Sequence, residues 1–154
     1  RNMIVFVNKC DLIPQGKIIE KDLMRLLKNM VPQLNAYPIV FGSATERSKL
    51  TNLLDMIPKV VSDSQRRVST SDMNRFVEDI ILRHPPPAKK GKRLVIYYAT
   101  QAEIAPPTFV FFVNDAKLID MDYRRYIDRQ IRDFFGGLLG VAIRIKFRSK
   151  PKRT

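Results

Sequence analysis

The stretch Met3-Ile4-Val5-Phe6-Val7-Asn8-Lys9-Cys10-Asp11 decides how this chain is read. A short, nearly unbroken apolar run from Asn2 to Val7 is what a strand buried on both faces requires, and a polar tetrad follows it directly. A turn through Asp11 to Gly16 comes next. Leu23, Leu26, Leu27 and Met30 recur at helical spacing and predict a helix from about Ile18 to Leu34. Pro38 to Phe41 is a second buried strand, ending in Gly42-Ser43-Ala44. Leu50, Leu53, Leu54, Ile57, Val60 and Val61 predict a further helix from about Lys49 to Gln65, with Pro58 expected to kink or interrupt it. Alternation of strand and helix implies a parallel sheet of the α/β class. Two strands cannot complete such a sheet, and the chain opens on Arg1, so this segment is expected to be part of something longer.

A length of 154 residues suits one ordinary domain or two small ones. Apolar residues at 45% and charged residues at 28% describe a globular protein. No run approaches about 18 consecutive apolar residues, so a transmembrane helix is excluded. Cys10 is the only cysteine and cannot form an internal disulfide, which fits a reducing, cytoplasmic setting. Twenty-eight basic against fifteen acidic residues leave a net charge of +13. Such an excess favours polyanionic partners, nucleic acid first and an anionic membrane second. Up to Arg67 there are 11 basic and 6 acidic residues, and from Val68 onward 17 and 9. Lys89, Lys90, Lys92 and Arg93 form one cluster. Arg144, Lys146, Arg148, Lys150, Lys152 and Arg153 form another, with no acid among them. The plain reading of such runs is a solvated face.

The grammar changes near Arg67, which suggests two domains, residues 1–67 and 68–154. Ser69 with Asp72 three residues on is a capping-box-like start. The helix behind it is expected to bury Met73, Phe76, Val77, Ile80 and Ile81, and to stop at His84, in a capping position, and Pro85 to Pro87. Strands are expected over Arg93–Ala99 and Thr108–Val113, and a helix over Asp122–Phe135 with Tyr123, Tyr126, Ile127, Ile131 and Phe134 on its apolar stripe. The last strand, Val141 to Arg148, alternates Val141, Ile143, Ile145 and Phe147 with Arg144, Lys146 and Arg148. The order α-β-β-α-β is an α+β domain with a small three-stranded sheet covered by helices on one side. No Ser/His/Asp set and no metal-ligand spacing appears, so neither a catalytic residue nor a metal site is expected in this chain.

Asn8-Lys9-Cys10-Asp11 sits at the carboxyl end of a buried strand, where open α/β sheets bind ligands. A carboxylate at Asp11 accepts hydrogen bonds from the ring N–H and the exocyclic amine of guanine. Adenine lacks that pair of donors, and a polar site left unpaired rejects the wrong base strongly. Asn8 can reach the far edge of the base and tie the loop together. The alkyl stem of Lys9 covers the ring face while its ammonium stays solvated. Cys10 fills the variable position. At the end of the next strand, Ser43-Ala44 offers a small residue whose backbone N–H can approach the base carbonyl. An accidental surface turn is the competing reading. The residues expected to bind guanine in GTP or GDP are therefore Asn8, Lys9, Cys10, Asp11, Ser43 and Ala44. The G-x-x-x-x-G-K-[ST] phosphate loop is missing, so Mg2+ is expected only with an upstream half, and this chain by itself should not hydrolyse GTP.

Val68-Ser69-Thr70-Ser71-Asp72-Met73-Asn74-Arg75-Phe76 and Arg83-His84-Pro85-Pro86-Pro87 resemble the start of the C-terminal KH-like domain of the Der (EngA) family of bacterial GTPases. So do Tyr98-Ala99-Thr100-Gln101, Pro106-Pro107-Thr108-Phe109-Val110, Phe112-Val113-Asn114, Tyr123-Arg124-Arg125-Tyr126 and Phe147-Arg148-Ser149. The resemblance implies two tandem P-loop GTPase domains followed by this one, in a cytoplasmic, ribosome-associated protein that assembles the large ribosomal subunit. Residues 1–67 would be the end of the second GTPase domain, and Asn8, Lys9 and Asp11 its guanine-specificity loop. Its partners would be the large subunit and its RNA, guanine nucleotide and the other GTPase domain of the same polypeptide, with no membrane. Thr45-Glu46-Arg47-Ser48 lacks the glycines common in that loop. Gly137-Leu138-Leu139-Gly140 has the letters of a KH clamp but precedes the last strand, so it reads as a turn.

Two roles compete for the basic segment. In one, Arg144, Lys146 and Arg148 with the tail Lys150, Lys152 and Arg153 contact ribosomal RNA phosphates, helped by Lys89, Lys90, Lys92 and Arg93, while Tyr97 or Phe112 offers a base-stacking surface. In the other, the domain is a docking module for the GTPase domains. Phe109, Phe111 and Val113 alternate with Val110 and Phe112, so both faces of that strand are apolar and the sheet is expected to be covered on both sides.

Overall fold

A computed structural model describes residues 2–13, 17–47, 49–86, 88–89 and 91–150. They fall into two compact units, one of residues 1–63 with 138–142, the other of residues 64–137 with 143–154. The first is α/β. Strands β1 (Val5–Val7) and β2 (Ile39–Phe41) pair in parallel, Val5 opposite Ile39 and Val7 opposite Phe41. The first strand is shorter than the apolar run because the Met3 N–H donates to the Gly140 carbonyl (2.7 Å) instead of joining the ladder.

Helix α1 (Lys17–Met30) ends four residues before the expected Leu34. Val31 takes φ −131°, and Pro32 opens a separate 3-10 turn over Pro32–Ala36. A proline disfavours helical geometry in the residue before it. Helix α2 (Leu50–Ser64) runs unbroken through Pro58, so the expected interruption is absent. The ring removes the N–H that would reach the Leu54 carbonyl, and Leu54 is 63% exposed, where water can serve that carbonyl instead. Two strands leave much of the helices uncovered: Leu26 and Met30 on α1, and Leu54, Ile57 and Val61 on α2, are exposed.

Residues 138–142 are held in the first unit by hydrogen bonds from their backbone N–H groups. The Leu138 N–H donates to Asp63 Oδ2 (3.0 Å) and the Gly140 N–H to the Ala36 carbonyl (2.8 Å). Leu138 and Val141 are buried. Gly140 sits at φ +77°, and a Cβ there would lie 2.7 Å from the Met3 carbonyl oxygen, so only glycine fits. Val141 and Ile143 were expected at the start of the last strand. They precede it, because the chain at Gly140 is bonded to residues 3 and 36 and pairs with its sheet only from Arg144.

The second unit is α+β. Helix α3 (Thr70–Arg83) starts as expected, the Ser69 hydroxyl accepting the Asp72 N–H (3.0 Å), and His84 caps its end through an N–H bond to the Ile80 carbonyl. A hairpin the sequence did not announce follows, β3 (Ala88–Lys89) against β4 (Lys92–Arg93), turning at Gly91 with φ +75°. The strand expected over Arg93–Ala99 instead begins at Ile96 and runs to Glu103 as β5. Asn114 separates it from β4: its Oδ1 accepts the Val95 N–H and its Nδ2 donates to the Arg93 carbonyl.

Strand β6 (Thr108–Val113) is central, antiparallel to β5 and parallel to β7 (Arg144–Ser149), and helix α4 (Met121–Phe135) lies between β6 and β7 in sequence. Phe109, Phe111 and Val113 share a face with Ala99, Ile145 and Phe147 and turn toward the helices. Phe76 of α3 meets Phe111 edge-on (6.3 Å), and Arg124 of α4 donates to the Ile145 carbonyl. Gln101, 2% exposed, has both ends of its amide satisfied, accepting the Val68 N–H (2.6 Å) and donating to the Arg66 carbonyl (3.0 Å). The opposite face carries Tyr98 and Phe112, both half-buried, the buried Val110, and the exposed Lys146 and Arg148. On β6 itself both faces are largely buried, Phe109, Phe111 and Val113 on one and Thr108 and Val110 on the other, as its apolar pattern suggested, with Phe112 only half-buried. Among the described residues, no helix is long and apolar enough to cross a membrane.

Candidate functional site

The tetrad and the Ser43-Ala44 loop meet at the carboxyl ends of β1 and β2. Parallel pairing with Val7 opposite Phe41 puts residues 8–11 beside residues 42–44. Asn8 joins them: its Oδ1 accepts the Lys9 N–H (2.8 Å) and the Ala44 N–H (3.0 Å). The Cys10 N–H donates to the Gly42 carbonyl (3.1 Å), and its thiol donates to the Val7 carbonyl (3.2 Å). Lys9 is left-handed at φ 62°, a strained choice for a side-chain-bearing residue and one that concentrates at functional sites.

Asp11 lies in a 3-10 turn, Cys10–Leu12, exposed and with no hydrogen bond or ion pair to another described residue. Ser43 is buried, its Oγ accepting the Glu46 N–H (3.2 Å). The Ala44 N–H, in the loop expected to approach a base carbonyl, is directed at Asn8 Oδ1, because the adjacent loops place that amide oxygen within its reach. In the loop that lacks glycine, Arg47 and Lys49 themselves take positive φ, 52° and 57°; Ser48 lies outside the described residues.

In the second unit Arg144, Lys146 and Arg148 are exposed at alternate positions of β7, and Lys146 lies 3.6 Å from Glu103. Lys92 and Arg93 are exposed on β4; Lys89 is a residue of β3. Lys90, Lys152 and Arg153 lie outside the described residues. Tyr97 is not a partner of Phe112: it occupies a bulge between Ile96 and Tyr98, and Tyr98 takes the place opposite Phe112. Their rings stack 4.5 Å apart, and Lys150 Nζ lies 5.1 Å over the Tyr98 ring. Strand period would have favoured Tyr98 had the bulge been foreseen. Tyr123 and Tyr126 belong to the helix packing, their hydroxyls donating to the His84 and Ile80 carbonyls, and both rings lie against His84. With Pro85, Asp120 and Asp122 they line a hollow of about 180 Å³.

Comparison with known proteins adds the family. Residues 67–148 match the KH-domain-like C-terminal domain of EngA bacterial GTPase enzymes. GTPase Der of Natranaerobius thermophilus is 41% identical over 154 residues, 99% of this chain and 34% of the relative. GTPase Der of Levilactobacillus brevis is 40% identical over 135 residues, 88% of this chain and 31% of the relative. The chain thus spans about a third of the length of the curated relatives it matches. A solved structure of Era with MgGDPNP and nucleotides 1506–1542 of 16S ribosomal RNA covers 97% of this chain and 56% of its own at 20% identity, with a TM-score of 0.32, too loose to carry any argument. With a domain model matching more than half of it and relatives near 40% identity along most of its length, the chain belongs to the Der (EngA) family of bacterial GTPases, as its C-terminal part.

Proposed function

We propose that residues 1–67 carry the guanine-recognising half of a GTPase domain, and residues 68–154 a KH-like domain that contacts ribosomal RNA, in a GTP-hydrolysing protein that assembles the large ribosomal subunit. The observation that carries the nucleotide reading is the double acceptance by Asn8 Oδ1, which fixes the Asn8–Asp11 loop to the Ser43-Ala44 loop. With the loops tied, the exposed Asp11 carboxylate is left to accept the guanine ring N–H and amine. The Lys9 stem covers the base, and Cys10 and Ser43 hold the loop backbones.

The residues present fit the base end of GTP or GDP. Phosphate and Mg2+ handling belong to a part with a phosphate loop, which this sequence lacks. The apolar faces left open on α1 and α2 suit further strands of the same GTPase domain. Replacing Asn8 with Ala tests the reading. It removes two hydrogen bonds worth about 1 kcal/mol each, so GDP affinity, followed by amide chemical shifts of residues 8–11 and 43–44, should fall about tenfold or more. Unchanged affinity would count against it.

A second reading, the KH-like domain as a docking module for the GTPase domains, draws on Leu82 and Met121, exposed apolar side chains that phosphate recognition does not use.

A further inference from the structure

Tyr98 and Phe112 face each other across β5 and β6 on the side of the sheet away from α3 and α4, their rings 18° from parallel. Arg148 pairs with Phe112 on the next strand, so one row across the sheet reads Tyr98, Phe112, Arg148. The adjacent row reads Thr100, Val110, Lys146. Lys150 lies over the Tyr98 ring and close to its hydroxyl (3.4 Å). Glu103 lies beside Lys146 (3.6 Å).

We propose that this face is a platform for single-stranded RNA, on which an unpaired base joins the Tyr98–Phe112 stack while Arg148, Lys146 and Lys150 hold the flanking phosphates. The inference deepens the RNA reading of the KH-like domain and rests on it. Stacked aromatics that keep part of their surface accessible, as the half-buried Tyr98 and Phe112 do, fit single strands, because bases in a duplex keep their ring faces covered. A cation already over the Tyr98 ring marks a face that a base can take, releasing the Lys150 ammonium to a phosphate. The alternative clamp is not free. In the Gly137-Leu138-Leu139-Gly140 segment, the Gly140 N–H is bonded to Ala36 and its carbonyl to Met3, and the Leu138 N–H to Asp63. A G-x-x-G clamp needs those backbone groups for the nucleic acid.

Fluorescence anisotropy on the 154-residue chain, with a labelled ten-nucleotide RNA, the same oligomer with a central abasic residue, and a hairpin duplex, tests this. The single strand is expected to bind at least tenfold tighter than the duplex. The double variant Tyr98→Leu/Phe112→Leu, which keeps apolar bulk without rings, should lose about tenfold in single-strand affinity with its salt slope unchanged. Arg148→Gln should lower the slope. If the double variant does not fold by circular dichroism, the abasic oligomer replaces it, with the same tenfold loss expected on the wild-type chain. Wild-type affinity for the abasic oligomer or in the leucine variant, with loss in Arg148→Gln, would overturn the platform and leave the phosphate contacts standing. Tighter binding of the duplex, or equal competition by a polyglutamate peptide, would overturn the platform as well. Failure to bind either RNA would overturn it together with the RNA reading.

Discussion

Asn8 commits its side-chain oxygen to two backbone N–H groups, one next door at Lys9 and one at Ala44, 36 residues away. That acceptor, together with the Cys10 N–H bonded to the Gly42 carbonyl, ties two strand ends into one loop cluster, beside which Asp11 stands exposed and unbonded among the described residues. The tetrad was legible because its chemistry is local: four residues after a strand. What Ala44 does was not, since the partner of its N–H depends on how the two strand ends meet. Tyr123 gives a separate test at this scale. Burial, with Tyr126 beside it, lifts its phenol from 10.0 to about 12. The folded state therefore favours the neutral phenol, and that stabilisation is present below pH 10 and lost as pH rises toward 12. Urea midpoints measured across that window should fall more steeply for the wild type than for Tyr123→Phe. Parallel curves would mean that burial of the hydroxyl is not felt.

The helices of both units announce themselves through apolar spacing and, at Ser69, through the cap; the structure has all four, with ends shifted by no more than four residues. The β3–β4 hairpin is not legible in the sequence because two-residue strands have no period to read. The start of β5 was misplaced because Asn114, distant in sequence, takes the Val95 N–H and the Arg93 carbonyl. Residues 138–142 show the same limit: the alternation at Val141 and Ile143 reads as strand, but bonds to residues 3, 36 and 63 hold that stretch outside the sheet. Gly140 is its critical point. Gly140→Ala combines a positive φ with a Cβ 2.7 Å from a backbone oxygen, and should cost about 2–3 kcal/mol in denaturant unfolding. Gly91→Ala, also at positive φ but with open space around it, should cost less. Equal losses would show that residue 140 is not sterically confined.

Across the chain, a net charge of +13 is the plainest signal in composition, and five of its basic residues stand exposed on β4 and β7 of the second unit. Which face it would serve could not be read from composition, because that depends on the register that puts Arg148 beside Phe112. Replacing Arg144, Lys146 and Arg148 together with glutamine should flatten the salt dependence of RNA binding by about 2 in log–log slope, at ~0.7 per phosphate contact, and leave GDP binding unchanged. An unaltered slope would take β7 out of the interface. The central claim, that Asp11 reads guanine by two hydrogens only that base presents, is tested most directly by calorimetric titration with GDP, IDP and ADP. IDP keeps the ring N–H and lacks the amine, so the expected order is GDP, then IDP about tenfold weaker for one lost charge-assisted bond, then ADP without measurable binding, with the preference abolished in Asp11→Ala. Equal affinity for GDP and ADP, or an unchanged preference in the alanine variant, would contradict it.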